Sequence, residues 1–277
     1  MFDPMFDQAA GLRAVGMPGA VRLVPVVLSR DVDTAFEALC LLGDGLRALG
    51  YPVVALDASC LERAGRVGLS SLLHASAGAP RVNTAKLTPG ADPAGHGWPS
   101  LPAQTGLGSL LHLAAVQGAR HALTRLAAVF ALNTVVLVLA PKEWLSVLFE
   151  NSAAQPLVPF ALQPSGVVDA YSAIKVLNQA GGMQPVLFPV ATDLPDEVAQ
   201  RSMDALLHTA DKHLGFQPEC LPWGASVPAQ AAQAAAVGPW VLRMADSALA
   251  MGGDDGPPLT WSTTNQREAL VPQLWSC

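Results

Sequence analysis

The segment Val21–Asp57 constrains the fold of this chain most, because its apolar pattern changes from strand to helix and back to strand. An apolar run at Val24–Leu28 has the length of a buried strand. Apolar residues then recur with helical spacing over Thr34–Leu49, and Gly50 follows as a residue that accepts a left-handed cap. Val53–Asp57 is apolar on both faces, as a parallel sheet covered by helices requires. We therefore predict a βαβ unit with a right-handed crossover.

The turn Ser29–Thr34 joins the first strand to its helix, where many folds of this kind bind phosphate through backbone N–H groups and the helix dipole. Phosphate-binding turns use glycines for close approach and a lysine for charge. This turn has neither, and it carries Arg30, Asp31 and Asp33 instead. Either aspartate can cap the helix, and a carboxylate beside a polyphosphate is repelled at short range. The sequence thus predicts a nucleotide-type fold without its nucleotide site.

Strands and helices alternate over the rest of the chain, which indicates one doubly wound α/β domain with a mostly parallel sheet flanked by helices. Further strands are expected at Val135–Leu139, Leu157–Leu162, Val186–Ala191 and Glu219–Leu221. Further helices are expected at Leu107–Leu132, Trp144–Ala153, Gly166–Ala180, Pro195–Leu214, Ala229–Ala236 and Trp240–Ala250. We divide the chain into an N-terminal helix with its linker (1–19), the α/β domain (20–251) and a loop-like tail (252–277).

Composition narrows the function classes. With 51% hydrophobic and 14% charged residues the chain can bury a sheet on both faces. Its net charge is −6 and its Lys and Arg residues look scattered, so we expect no nucleic-acid partner. The four cysteines lack metal-like spacing, and we expect no metal site. No secretory signal or membrane-spanning run is visible, which favours a cytoplasmic protein with at most peripheral membrane contact.

The carboxyl ends of the strands are where ligands bind in such sheets, and Asp57 and Ser59 follow the second strand there. Asp57 with Asp31 or Asp33 could bind a cation, since carboxylate oxygens suit hard metal ions. No third carboxylate has a clear place, however, so we interpret these residues as helix caps and solvated loop charges. We expect no catalytic residue among them.

Residues 1–15 are predicted to form a short amphipathic helix that Gly16–Gly19 separates from the sheet. Its apolar stripe consists of Phe2, Met5, Phe6, Ala9 and Leu12. A helix of this length is marginal in water on its own. It must therefore dock either on its own domain or on a partner.

Three stretches of the chain resemble the FlhG/FleN group of MinD/ParA-type ATPases, which control flagellar number and placement. Asp7–Arg13 resembles the N-terminal motif of that group, Pro164–Leu177 its segment after the fifth strand, and Leu101–Gly106 its mid-chain turn. Val54–Asp57 lies where the family has a second strand that ends in aspartate. The resemblance implies a P-loop-NTPase-like fold of the MinD/ParA type.

Three nucleotide-binding features of the family are missing together. Its phosphate loop is absent at Ser29–Thr34, its second catalytic aspartate is replaced by Ser59, and its magnesium-binding aspartate falls at Val138. The resemblance and these departures imply a pseudo-ATPase that needs no cofactor. The vestigial nucleotide site would consist of Ser29, Arg30, Asp31, Asp33, Asp57 and Ser59.

In the family, the N-terminal helix engages FlhF, a signal-recognition-type GTPase, and stimulates its hydrolysis. The resemblance implies that Gln8 orients the attacking water of an FlhF-like partner, as a neutral amide can. Asp7, Ala9, Leu12 and Arg13 would complete the partner-binding set. The chain would then regulate flagellar biosynthesis through that GTPase.

Two alternatives stay open. The chain could be a divergent ATPase that uses Arg30, Lys142 and Asp57, with Asp31 and Asp33 holding magnesium and ATP bound beside them. It could also be a nucleotide-free scaffold that has kept the fold for assembly or as a homodimer. Calorimetry with ATP and magnesium separates the first alternative from a pseudo-ATPase, and sedimentation tests the second.

Overall fold

The computed structural model describes residues 19–63, 65–75, 81–84, 87, 97–190, 195–221 and 239–252. Its strands are β1 (Val21–Val27), β2 (Val53–Asp57), β3 (Ser100–Pro102), β4 (Val135–Ala140), β5 (Leu157–Ala161), β6 (Val186–Val190), β7 (Glu219–Cys220) and β8 (Leu249–Met251). Its helices are α1 (Val32–Ala48), α2 (Leu69–Ala75), α3 (Gln104–Gln117), α4 (Ala119–Val129), α5 (Lys142–Leu148), α6 (Pro164–Gln179) and α7 (Asp196–Leu214), and residues 239–246 are also helical.

The strands form one sheet in the order β3-β2-β4-β1-β5-β6-β7, and every pair along this path is parallel. β4 pairs with β1 along nearly its whole length, from Arg22 to Val27. On its other side β1 meets β5 only at Val26, and β8 runs antiparallel beside Val21–Leu23. The predicted doubly wound, mostly parallel α/β fold is confirmed.

Two apolar cores lie on opposite faces of the sheet, because alternate residues of a strand point in opposite directions. In β4, Val136 and Val138 face one core, whereas Val135, Leu137 and Leu139 face the other. Helix α1 and residues 239–246 cover the second core, and helices α2–α7 cover the first. Helices on both faces explain why the central strands are apolar throughout.

The strongest sequence signals agree with the structure. β2 has the predicted bounds, and β4, β5 and β6 each differ by one residue at one end. β1 begins three residues before the predicted run Val24–Leu28 and ends one residue before its end. Helix α1 begins two residues before the predicted start at Thr34, and Gly50 follows it with φ of +87°. That angle lies in the left-handed region, which favours glycine over residues that carry a Cβ.

Three predicted helices need correction. The long helix at Leu107–Leu132 is two helices, α3 and α4, because Gly118 adopts φ of +90° between them. The helix predicted at Trp144–Ala153 is the shorter α5, which ends before Asn151 with its φ of +54°. The helix predicted at Trp240–Ala250 stops at residue 246, and β8 follows. Ala229–Ala236, residues 1–18 and the tail from 253 lie outside the described residues.

None of the helices within the described ranges combines the length and the apolar content that a bilayer-spanning segment needs.

Candidate functional site

The β1–α1 turn is closed by its own aspartate. Asp31 is the N-cap of α1: its Oδ1 accepts from the backbone N–H of Thr34 at 3.4 Å, and its Oδ2 accepts from the Thr34 hydroxyl at 2.7 Å. The Ser29 hydroxyl donates to the Asp31 carbonyl at 2.6 Å. Asp33 lies in the first turn of α1 and is exposed. Of the two predicted cap residues, the structure selects Asp31.

A second carboxylate reaches the same turn from α6. Asp169 Oδ2 accepts the backbone N–H of Arg30 at 3.1 Å, and its Oδ1 lies 3.3 Å from Lys142 Nζ. The side chains of Lys142 and Asp169 are only 16% and 15% exposed, so solvent screens this ion pair little. The guanidinium of Arg30 also lies near Asp169, at 3.9 Å, but it is 91% exposed and adds little.

The two carboxylates therefore engage backbone N–H groups of the turn that would otherwise face an anion. Backbone donors at a helix N-terminus are what such turns offer to phosphate. Here the N–H of Arg30 is bonded to Asp169 and that of Thr34 to Asp31. A phosphate would have to displace one negative side chain and approach another, which is electrostatically unfavourable.

Asp57, at the end of β2, is used in a local turn. It is buried, and its Oδ1 accepts from the backbone N–H and from the hydroxyl of Ser59 at 2.8 and 2.6 Å. The pKa of the Cys60 thiol is raised, mainly by partial burial and to a smaller extent by the neighbouring Asp57 carboxylate. Because the thiolate is the reactive form of cysteine, this environment does not activate Cys60 as a nucleophile.

The structure does not gather the predicted site residues into one cluster. Ser29, Arg30, Asp31 and Asp33 follow β1, whereas Asp57 and Ser59 follow β2, and β4 lies between these strands. Within the described ranges no three His, Cys, Asp or Glu residues form a group that could hold a metal ion. The set predicted to bind a partner, Asp7, Gln8, Ala9, Leu12 and Arg13, lies outside the described residues.

Asp169 was not among the predicted site residues, and Lys142 was predicted only for the divergent ATPase. Lys142 follows β4 and Asp169 lies in the helix after β5, and β4 and β5 flank β1 in the sheet. The sheet order thus brings both side chains to the turn that follows β1. The available sequence signal was the position of Asp169 inside the segment Pro164–Leu177, where the family resemblance is found.

Val138, the position matched to a magnesium-binding aspartate, is fully buried in β4. It pairs with Pro25 of β1 and Leu56 of β2 and packs in the apolar core. Its side chain has no polar partner among these neighbours. An aspartate would therefore need a rearranged core before it could bind an ion.

Gly166 holds the start of α6 close to β5, and this contact positions Asp169. A Cβ atom at Gly166 would collide with the backbone oxygen of Ala161.

We predict that Gly166→Ala lowers the free energy of unfolding by about 2 kcal/mol, as overpacking does. Urea denaturation measures this, with Gly108→Ala in α3 as the control, because no atom lies within 4 Å of a Cβ there. The control should be neutral or more stable by up to about 1 kcal/mol, since alanine is the better helix former. Equal urea midpoints for both variants would contradict the prediction.

No protein-family model matches the chain, and no curated protein sequence matches it. Several solved structures are similar in fold. Cobyrinic acid a,c-diamide synthase from Mycobacterium smegmatis aligns with 80% of this chain and 92% of its own, at 19% identity and a TM-score of 0.47. Apo McdA from Cyanothece aligns with 82% of this chain and 97% of its own, at 13% identity and a TM-score of 0.47. A ParA family ATPase from Chlorobium tepidum TLS aligns with 83% of this chain and 93% of its own, at 12% identity and a TM-score of 0.45. The chain has a mostly parallel central sheet flanked by helices, an architecture that carries many unrelated functions.

Proposed function

We propose that this chain is a cytoplasmic, MinD/ParA-like protein that does not hydrolyse ATP and that regulates flagellar biosynthesis through an FlhF-like GTPase. One observation carries the first part of the proposal. Two backbone donors of the β1–α1 turn, the N–H groups of Arg30 and Thr34, are bonded to the carboxylates of Asp169 and Asp31. Lys142 is paired with Asp169, so this cation is already neutralised locally.

The second part rests on the motif Asp7–Arg13, which resembles the FlhG/FleN element that acts on a GTPase. Gln8 is the residue suited to the chemistry, because an amide can hold a water in line for attack on a phosphorus atom without changing its own charge. The rest of the motif would fix the helix on the partner. A regulator of this kind needs no nucleotide of its own.

Calorimetry on the full chain is expected to show no binding of ATP, ADP or GTP in the presence of Mg²⁺. Any dissociation constant should be above about 1 mM, which corresponds to a binding free energy of roughly −4 kcal/mol. Repulsion from Asp31 and Asp169 is the physical reason. A micromolar dissociation constant for ATP would contradict the proposal and favour the divergent ATPase.

Gln8→Ala is expected to abolish stimulation of the FlhF-like GTPase while leaving the chain folded. The loss in the stimulated rate should be at least about tenfold, because a water-orienting group acts in the transition state. Single-turnover GTP hydrolysis with and without the full chain measures it. Gln179→Ala, at the exposed end of α6, is the matched control and should stimulate like the unmodified chain. Equal stimulation by both variants would contradict the role of Gln8.

The alternative of a divergent ATPase draws on Lys142 and Arg30, two cations at the carboxyl ends of neighbouring strands. Both lie against Asp169, so nucleotide would have to compete with that carboxylate.

The scaffold alternative predicts a nucleotide-independent homodimer, which sedimentation equilibrium of the full chain tests.

A further inference from the structure

A groove lies on the outer side of helices α2, α3 and α4, away from the β1–α1 turn. Its apolar lining comes from Leu73 of α2 and from Leu110, Leu113 and Val116 of α3. Leu73 and Leu110 are buried, whereas Val116 is 67% exposed. The cavity measures about 290 Å³, near the lower end of the range of roughly 300–1,000 Å³ that small-molecule sites occupy.

The shape of the groove favours a helix as its occupant. The lining residues of α3 run from Ser109 to Gln117 with spacings of three and four, so they form one face of that helix. This face is about 12 Å long at the rise of an α-helix. A long, shallow, apolar strip of this kind suits the side-chain anchors of an amphipathic helix.

Arg125 gives the groove a positive charge, and no aspartate or glutamate is among its described lining residues. His74 of α2, His112 of α3 and Arg125 of α4 all line it and are exposed. The three helices contain no aspartate or glutamate. The carboxylate of Glu62 lies near these helices, where it accepts from the backbone N–H groups of Ser70 and Gly106 at 2.8 and 2.7 Å. Through Arg125 the groove is complementary to an acidic amphipathic segment.

We propose that this groove is the docking site of the chain's own N-terminal segment, residues 1–15. That segment is predicted to be an amphipathic helix whose apolar stripe, from Phe2 to Leu12, would be about 15 Å long. Its charged residues before Arg13 are both acidic, Asp3 and Asp7. Its stripe and its charge thus match the apolar lining of the groove and the charge of Arg125.

The start of the described chain is close enough for this docking. A Cβ at Gly19 would touch the side chain of Leu132, and Ala20 accepts a hydrogen bond from the backbone N–H of Asn133. These residues follow α4 directly, and Arg125 precedes the end of α4 at Val129 by one helical turn. The linker from Arg13 to Gly19 can extend to about 20 Å, several times the rise of one helical turn.

A second cavity, lined in part by Ala20, Leu49 and Tyr51, lies nearer to the start of β1. It suits the segment less well. Its cation, Arg22, donates to the Tyr51 hydroxyl at 3.1 Å and stacks over the Tyr51 ring at 5.3 Å. Its lining residues come from loops and strand ends rather than from one face of a helix, so it offers no helix-length apolar strip.

Docking would regulate the proposed function, and this consequence rests on that function. Ala9 and Leu12 belong both to the apolar stripe and to the set proposed to contact the GTPase. The groove and the partner would then compete for the same side chains. Release of the segment from the groove becomes a condition for GTPase stimulation.

The test is photo-crosslinking in the full chain, with p-benzoylphenylalanine in place of Phe6 and mass spectrometry of the products. We expect intramolecular links to residues 70–74, 109–117 or 125. Links to the cavity around Leu49 and Tyr51, links only between molecules, or no links would each overturn the proposal. The readout needs no GTPase, so it stands apart from the Gln8→Ala experiment.

Two matched pairs of surface variants make the test specific. Val116→Asp should lower the groove cross-link several-fold, whereas Val168→Asp in α6, at a position just as exposed, should leave it unchanged. Arg125→Glu should lower it about threefold, as loss of an exposed charge pair does, whereas Arg201→Glu in α7 should not. Equal yields within either pair would overturn the proposed site. If the cross-links agree but Arg125→Glu fails to raise GTPase stimulation, docking stands and the proposed GTPase function falls.

Discussion

Val138→Asp is expected to destabilise the protein by at least about 4 kcal/mol and to leave it without a magnesium site, because a buried, unpaired carboxylate is costly. Val138 is fully buried in β4 between β1 and β2. The substitution would place a carboxylate at the position that the sequence resemblance matches to a magnesium-binding aspartate. Urea denaturation with and without Mg²⁺ measures the effect.

Val138→Ala is the control for the size of the side chain. It removes apolar contacts without adding charge, and should cost about 2 kcal/mol. The difference between the two variants reports the cost of burying the carboxylate. An aspartate variant with wild-type stability, or one whose urea midpoint rises steeply with Mg²⁺, would show that a metal site can still form and would reopen the ATPase alternative.

Asp169→Ala is expected to lower the free energy of unfolding by about 3 kcal/mol, which is a large effect for a polar residue near the surface. The substitution leaves the Lys142 ammonium, only 16% exposed, without its carboxylate partner. It also removes the acceptor of the Arg30 backbone N–H. Losing the partner of a shielded charge costs more than the pair itself contributes.

Two comparisons separate these contributions. Asp169→Asn keeps an acceptor for the Arg30 N–H and should therefore be less destabilised than Asp169→Ala. The double variant Lys142→Met with Asp169→Ala should lose less stability than the sum of the losses of the two single variants. Glu197→Ala breaks the exposed pair with Arg201, whose side chains are 92% and 75% exposed, and should change stability by no more than about 0.5 kcal/mol. Equal urea midpoints for Asp169→Ala and Glu197→Ala would contradict a structural role for Asp169.

The sequence predicted the parts of the fold that are determined locally. β2 and α6 have strong apolar periods and glycines or prolines near their ends, and both agree closely with the structure. The break between α3 and α4 was missed because it depends on the conformation of a single residue, Gly118. β8 was not predicted because it is a strand through its pairing with β1. β1 is distant from it in the sequence, and apolar periodicity does not reveal such a contact.

The same distinction applies to the candidate site. The cap by Asp31 joins residues three apart, so local rules for helix starts identified Asp31 and Asp33 as the two candidates. The contact of Asp169 with Arg30 and Lys142 joins three segments that only the order β4-β1-β5 brings together. Strand order is a property of the whole sheet, so the residues that close the turn could not be identified from the turn itself.

The pairing of β8 with β1 has a consequence for synthesis of the protein on the ribosome. β1 is the first strand of the described chain to emerge, yet residues 249–251, which pair with its first half, emerge after every other described strand. Until then, residues Val21–Leu23 of β1 lack their described partner strand on the side that faces away from β4. An exposed strand edge of this kind promotes misassembly. Among the described strands, completion of the central sheet is therefore a late event, and a nascent chain stalled before residue 249 would present that edge to chaperones.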